Sequence, residues 1–361
     1  MSPIPTSDST RLSALRFPLI VAVVFIHANN DRVGQRVAET APLLERVLGG
    51  VRSALSDGVA ATAVPLFFLV SGYLFFGGLR GAAGLRAAYG SKLRSRVRTL
   101  LVPYLFWNVA LALALAVARA APATRGLLSG AQGAFLDAGP LGWINAVLGI
   151  TVTPVAYQFW FIRDLMLAVL LAPLMYAFVV RAPLVGLVLL AAPWLTHTWP
   201  IKIPGAVALL FFYVGGLARM RGASLFALDR GFVAVACAYG AVLGCEVMGW
   251  TGEWFPYVHQ VGIVLGMVTV LGATRLAVTR PSVGAALTTL ASSAFFVFAA
   301  HEPLLTIARR VAAKATHAAH PALDFALYLA LPTVIVIALV VIDRVLRRVA
   351  PRFTALITGG R

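Results

Sequence analysis

Long apolar blocks alternate with short polar connections through nearly the whole chain. They run at about 12–29, 58–79, 99–121, 158–180, 183–199, 205–220, 231–250, 257–278, 284–305 and 323–342. A helix needs about 20 apolar residues to cross the hydrocarbon core of a bilayer, so the pattern predicts about ten transmembrane helices. The fifth and sixth blocks are short, with Pro200 and Pro204 between them. The fold class expected is an all-α integral membrane protein. Even parity puts both termini on one side. Two longer connections, 30–57 and 122–157, carry helical apolar patterns such as Leu43, Leu44, Val47, Leu48 and Val51. They are expected to rest on the membrane surface as amphipathic helices.

Composition supports the membrane reading. Of 361 residues, 60% are hydrophobic and 12% charged, with a mean hydropathy of +0.88. That leaves too little polar surface to wet a globule of this size. The net charge of +17 raises nucleic acid as a partner, but the cations sit between apolar blocks, which is the signature of membrane topology. With the N-terminus in the cytoplasm, the segments 1–16, 80–98, 181–182, 219–230, 275–280 and 343–361 face inward. They hold 19 of the 30 Lys and Arg and only Asp8, Asp229 and Asp343 among the acids. The positive-inside rule therefore predicts both termini in the cytoplasm, and no nucleic-acid partner is expected. The whole of 1–361 reads as a single transmembrane domain with no fused soluble domain and no internal repeat. Arg11 and Arg16 precede an apolar run with no small-residue cleavage site, so the first block reads as an uncleaved signal anchor. Cys237 and Cys245 lie eight residues apart, about 12 Å along a straight helix, too far to bridge.

Three blocks carry chemistry. Arg16 and His27 are eleven residues apart; eleven steps of 100° come within about 20° of three full turns, so both project from one helix face, about 16 Å apart. A histidine in an apolar helix is costly and faces the bundle interior; it serves either chemistry or packing. The second block, Val64 to Tyr73, ends Ser71-Gly72-Tyr73, where a Ser-Gly pair also suits close helix packing. The third runs from Lys92 through Arg94, Arg96 and Arg98 to Pro103-Tyr104. It suits an anchor against anionic membrane lipids and equally a cradle for phosphates.

Together these blocks resemble the membrane acyltransferase-3 family, bacterial enzymes that O-acylate glycans and other exported molecules. Arg16 and His27 match an Arg-x10-His pattern in the first helix, and Phe67-Phe68-Leu69-Val70-Ser71-Gly72-Tyr73 is similar to the FFxxSGY segment. Arg98 to Tyr104 resembles the basic run before the third helix. Phe159 to Leu165, with Trp160, Arg163 and Asp164, resembles a later W-F-x-x-x-L block, and Phe295 to Pro303, with His301 and Glu302, a late aromatic helix. The family's Arg-x-x-Arg pair is absent; Arg94, Arg96 and Arg98 stand at alternate positions instead.

The resemblance implies transfer of an acyl group, usually acetyl from acetyl-CoA, to a hydroxyl. It further implies an exported glycan as acceptor, whether exopolysaccharide, O-antigen or a lipid-linked oligosaccharide, and an enzyme expected in the inner membrane. CoA is polyanionic and cytoplasmic, so Lys92, Arg94, Arg96, Arg98 and Arg16 suit its phosphates. His27 then acts as general base or transient acyl carrier, with Arg16 beside it on the catalytic face. Ser71, Tyr73, Trp160, Arg163, Asp164, His301 and Glu302 are expected around the acceptor; an interfacial ion pair accounts equally well for Arg163 and Asp164, and a polar helix end for His301 and Glu302. Trp160, Trp194, Trp199, Trp250 and Trp254 fit an aromatic belt. No metal is expected, since His197, His259, His317 and His320 lack ligand spacing. Acylation of a secondary metabolite or a periplasmic glucan, and a transporter or flippase without covalent chemistry, are the competing readings.

Overall fold

A computed structural model describes residues 5–29, 41–79, 84–120, 133–248, 254–316 and 320–360, and among these the chain is helical with no strand. The main helices are α1 (Thr6–Ala28), α2 (Leu43–Gly77), α3 (Gly84–Ala120), α4 (Gly139–Leu148), α5 (Trp160–Leu170), α6 (Ala172–Arg181) and α7 (Pro183–Leu195). They continue as α8 (Ala206–Met220), α9 (Phe232–Val247), α10 (Phe255–Val278), α11 (Pro281–Leu290), α12 (Ala294–Thr316), α13 (Pro321–Val349) and α14 (Pro351–Thr358). Prolines mark many starts: Pro183, Pro256, Pro281, Pro321 and Pro351 each stand in a first turn, where the missing N–H has no helical acceptor to lose.

Every apolar block is helical over most of its described length, but the blocks differ in reach. Five helices are long and apolar enough to cross a bilayer: α1, α2, α3, α10 and α13. The count rises to 7 if the bent pairs each form one crossing. The block read as 158–180 breaks at Leu171, and the helices on either side meet at 56°; the one read as 284–305 breaks between Leu290 and Ala294, at 61°. The apolar helices α7 and α8 have 13 and 15 residues, about 20 and 23 Å, short of a hydrocarbon core of about 30 Å. The exterior fits lipid: Val117, Leu184, Val233 and Val334 are among many exposed aliphatic side chains.

Two connections differ from the sequence expectation. The basic segment read as a loop over 80–98 is helical from Gly84 and runs without a gap into the third span. Arg, Lys, Ala and Leu are good helix formers, and no proline intervenes before Pro103. A π-helical turn over Val97–Leu101 lies just before it, where Pro103 removes a backbone donor. The amphipathic stretch Leu43–Ser53 is likewise not a separate helix; it continues through a π-helical turn at Ala54–Val59 into the second long apolar helix. Residues 30–40 and 122–132 of the two longer connections, with Trp250 and His317, lie outside the described residues.

Helix α1 is central and touches α2, α10, α11, α12 and α13. Its first turns are tied down by buried Arg11, which pairs with Asp229 at 2.5 Å, donates to Thr274 Oγ1 and the Leu271 carbonyl, each at 2.8 Å, and lies over the Phe226 ring. The tightest seam joins α2 to α8. A Cβ at Gly72 would strike the Phe212 carbonyl oxygen, and one at Gly215 the Leu69 carbonyl oxygen. Small residues there let the two backbones touch, which is how helices bind closely in a membrane. Cys237 and Cys245 are free.

Candidate active site

One face of α1 organises the site. Arg16, Ile20, Val23 and His27 follow at helical spacing, so a cation and a histidine sit at opposite ends of an apolar strip. Arg16 is exposed and His27 is only 7% exposed.

At the His27 end, two aromatic neighbours come from distant parts of the chain. The His301 ring lies 5.2 Å from His27 between centroids, tilted by 33°, and the Tyr157 ring lies 5.0 Å away, edge-on at 78°. Their placement follows from a break in α12. Glu302 precedes Pro303 and has extended backbone angles, φ −105° and ψ 137°, because a residue before proline is pushed out of the helical region. The break leaves carbonyls without helical donors. Gln158 Nε2 donates to the Ala299 carbonyl at 3.1 Å and reaches that of Glu302 at 3.5 Å, while the Tyr157 hydroxyl donates to Glu302 Oε1 at 3.0 Å. Arg309 donates to the His27 carbonyl at 2.9 Å, closing the end of α1.

His301 is fully buried. Its Nδ1 lies 2.8 Å from the Phe298 carbonyl and 3.2 Å from that of Val297. Carbonyls only accept, so Nδ1 carries the proton, and in the neutral ring Nε2 is an acceptor. Among the described residues that Nε2 is buried with no hydrogen-bond partner, as is Gln158 Oε1. Beside them lies a cavity of about 90 Å³, lined by Ile20, Val23, Ile26, His27, Val64, Phe67, Gln158, Trp160, Phe161 and Phe298.

At the Arg16 end, cations gather from three helices. Lys92 and Arg96 lie four residues apart on α3, on one face, and Arg96 is close enough to Arg16 and to Lys92 for mutual repulsion. Lys92 Nζ lies 5.3 Å over the Phe75 ring and 3.4 Å from the Leu74 carbonyl. Arg219 of α8 stacks over Tyr73 at 5.2 Å and reaches its hydroxyl at 3.4 Å. Gly77 and Gly78 make room for the pair: a Cβ at Gly77 would meet Arg219 Nε at 2.7 Å, and one at Gly78 would meet the Lys92 ammonium group at 2.5 Å. Arg16, Lys92 and Arg96 make no ion pair with a carboxylate among the described residues. Arg94 and Arg98 are exposed, half a turn round from Lys92 and Arg96.

Sequence-predicted residues thus separate into groups. His27, Trp160, His301 and Glu302 converge at or beside the cavity. Arg16, Lys92, Arg96 and Tyr73 gather at the other end. Ser71 is half-buried on α2 beside the Gly72 seam. Arg163 and Asp164 pair with each other at 2.9 Å and do not line the cavity. Arg163 donates to the carbonyls of Gly149 and Val152, and Asp164 accepts from the Gly205 amide at 2.8 Å, so the pair knits α5 to two connections. Trp194 packs on Phe211, Trp199 donates to the Pro204 carbonyl, and Trp254 is exposed. Sequence reasoning passed over Tyr157, Gln158 and Arg219. Tyr157-Gln158 adjoins the aromatic block at Phe159, and Arg219 closes an apolar helix on the face that carries Gly215, the signals available for them. Among the described residues no three His, Cys, Asp or Glu side chains come together as a metal site requires.

A sequence model of the acyltransferase-3 family, described as an acyltransferase domain, matches residues 10–342. The succinoglycan biosynthesis protein ExoH of Rhizobium meliloti (strain 1021) is 27% identical over 366 residues, covering 98% of this chain and 92% of that protein. No solved structure matches.

Proposed function

This chain belongs to the acyltransferase-3 family, and from that premise we propose that it is a bacterial inner-membrane O-acyltransferase that moves an acetyl group from cytoplasmic acetyl-CoA to a hydroxyl of an exported glycan. The likeness to a succinoglycan biosynthesis protein supports an exopolysaccharide or its lipid-linked precursor as acceptor. The observation that carries the reading is the single face of α1, with cations at one end, His27 at the other and a cavity against the strip between.

In this reading ten crossings place both termini in the cytoplasm. Arg16, Lys92, Arg96 and Arg219 hold the donor phosphates at the cytoplasmic end, since guanidinium and ammonium groups bind phosphate oxygens with charge-assisted hydrogen bonds. His27 takes the proton of the acceptor hydroxyl as its oxygen bonds to the thioester carbonyl carbon. The C–S bond then breaks, and the leaving thiolate takes the proton from the imidazolium. His27 serves alternatively as a transient acyl carrier, in which case the first C–S cleavage precedes arrival of the glycan. Buried His301 packs against the His27 ring, and the Tyr157–Glu302 pair holds the other flank; both are positioning groups.

The test is transfer of radiolabelled acetyl from acetyl-CoA into glycan by membranes holding wild-type or His27→Ala protein. Label in polymer only with the wild type is expected. Equal label with the variant removes His27 from the chemistry, and no label with either, given an acceptor pool and normal insertion, removes the acetyltransferase reading.

A further inference from the structure

The cavity beside His27 carries more information than the position of a base. We propose that it is the pocket for the acyl group itself, that it accepts a short uncharged aliphatic chain, and that Phe67 sets the length. The inference rests on the acyltransferase reading and deepens it.

Size comes first. An apolar cavity of about 150 Å³ takes a benzene; on that scale about 90 Å³ has room for roughly three or four carbons. The lining is the second argument. Apart from His27 and Gln158 its side chains are Ile20, Val23, Ile26, Val64, Phe67, Trp160, Phe161 and Phe298, with no Lys or Arg among them. A terminal carboxylate would lose its hydration there with no cation to replace it. An alkyl chain loses nothing and leaves water.

Gln158 points to an occupant. It is 2% exposed, and its Nε2 is held by two carbonyls of the α12 break. A flipped amide would turn an acceptor toward those acceptors, so the orientation is set, and Oε1 belongs to a residue that lines the cavity. That oxygen is buried without a partner. A buried carbonyl oxygen of this kind calls for a donor, which an amide N–H in the arm of an acyl-thioester donor or the hydroxyl of the acceptor supplies.

Phe67 is the wall that can change. Phe161 is locked, with its ring 4.8 Å from Phe68, 5.5 Å from Phe67 and 6.0 Å from Phe298. Phe67 is half-buried on α2 and makes only the Phe161 contact among these rings. Val64, one turn earlier on the same face, lines the cavity beside it.

The experiment compares acetyl-, butyryl-, hexanoyl- and succinyl-CoA as donors with the full-length protein in membranes. Wild type is expected to use acetyl and butyryl donors, and to use succinyl, with the four carbons of butyryl but a terminal carboxylate, at least about tenfold less well than butyryl. Phe67→Ala should raise the hexanoyl-to-acetyl ratio about tenfold, and Val64→Phe should lower the butyryl-to-acetyl ratio about tenfold, one or two methylenes being worth that much in an apolar pocket. The second variant keeps the test open if the first fails to insert. Succinyl transfer equal to butyryl transfer, or ratios unmoved in both variants, overturns the pocket while leaving the acyltransferase standing. No transfer from any donor overturns both.

Discussion

His27 and His301 are separated by most of the chain, yet their rings lie 5.2 Å apart in the centre of the bundle. His301 offers a buried lone pair at Nε2, because its Nδ1 proton is committed to the carbonyl of Phe298. The ring stands beside the proposed base, and its removal should alter how that base is held. His301→Ala is expected to lower kcat about 10- to 100-fold with the acetyl-CoA KM little changed, the scale on which a small misplacement of a reacting group costs rate. His301→Gln keeps an acceptor in the same place and should recover part of the rate. A rise in KM with kcat intact would instead assign His301 to donor binding.

Tyr157 reaches the same region from the other side, with its ring against His27 and its hydroxyl on Glu302. Tyr157→Phe preserves the ring and removes only the hydrogen bond. Glu302 is buried, so the lost donor is expected to cost about 1–3 kcal/mol of stability, visible as a lower Tm in detergent. Activity should fall together with stability, and an additional Glu302→Gln change should cost less than the sum of the two single changes, since the partners share one contact. Full additivity would mean that the bond does not couple them.

The cations at the far end of α1 divide by orientation, and so should their variants. Lys92→Gln, Arg96→Gln and Arg219→Gln are each expected to raise the KM for acetyl-CoA about tenfold through loss of a charge-assisted contact. Arg94→Gln and Arg98→Gln, on the exposed side of the same helix, should move KM less than about twofold. Equal effects from both groups would show that the cations act by summed field and not by contact. Competition by 3′,5′-ADP, which carries phosphates but no acyl group, should weaken in the first group only.

The seam between α2 and α8 supplies a stability test remote from chemistry. Gly72→Ala and Gly215→Ala each place a methyl group on a backbone carbonyl of the partner helix. Overpacking of this kind costs about 1–3 kcal/mol, so both should lower Tm and the yield of folded protein. Gly240→Ala has open space around the added methyl group and should be neutral or stabilising through helix propensity. A lower Tm for Gly240→Ala as well would point to a general intolerance of substitution.

Hydropathy marked the helices and the multi-pass membrane character, because each crossing must satisfy its own backbone and is therefore written locally as an apolar run. The spacing of Arg16 and His27 is likewise a property of one helix, and their shared face was legible from twelve residues of sequence. The breaks at Leu171 and before Ala294 were not, since a run of apolar residues reads the same whether the helix through it is straight or bent by 61°. Nor was the helical state of the basic segment that forms the first part of α3, which looks like a connection because it is polar.

What could not be read along the chain is which side chains meet. The pairing of His27 with His301 and Tyr157 depends on α12 breaking at Glu302 and on Gln158 filling the gap with its amide. Arg163 and Asp164, adjacent in sequence and equally available to a cavity or to the backbone, were claimed by the carbonyls of Gly149 and Val152 and the amide of Gly205. Arg219 joins the cations because Gly77 leaves room for it. These outcomes are set by packing between helices far apart in sequence, where a free carbonyl or a missing Cβ on one element decides the conformation of a side chain on another. Local pattern determines that a helix forms and which face is apolar; only the assembled bundle determines what that face touches.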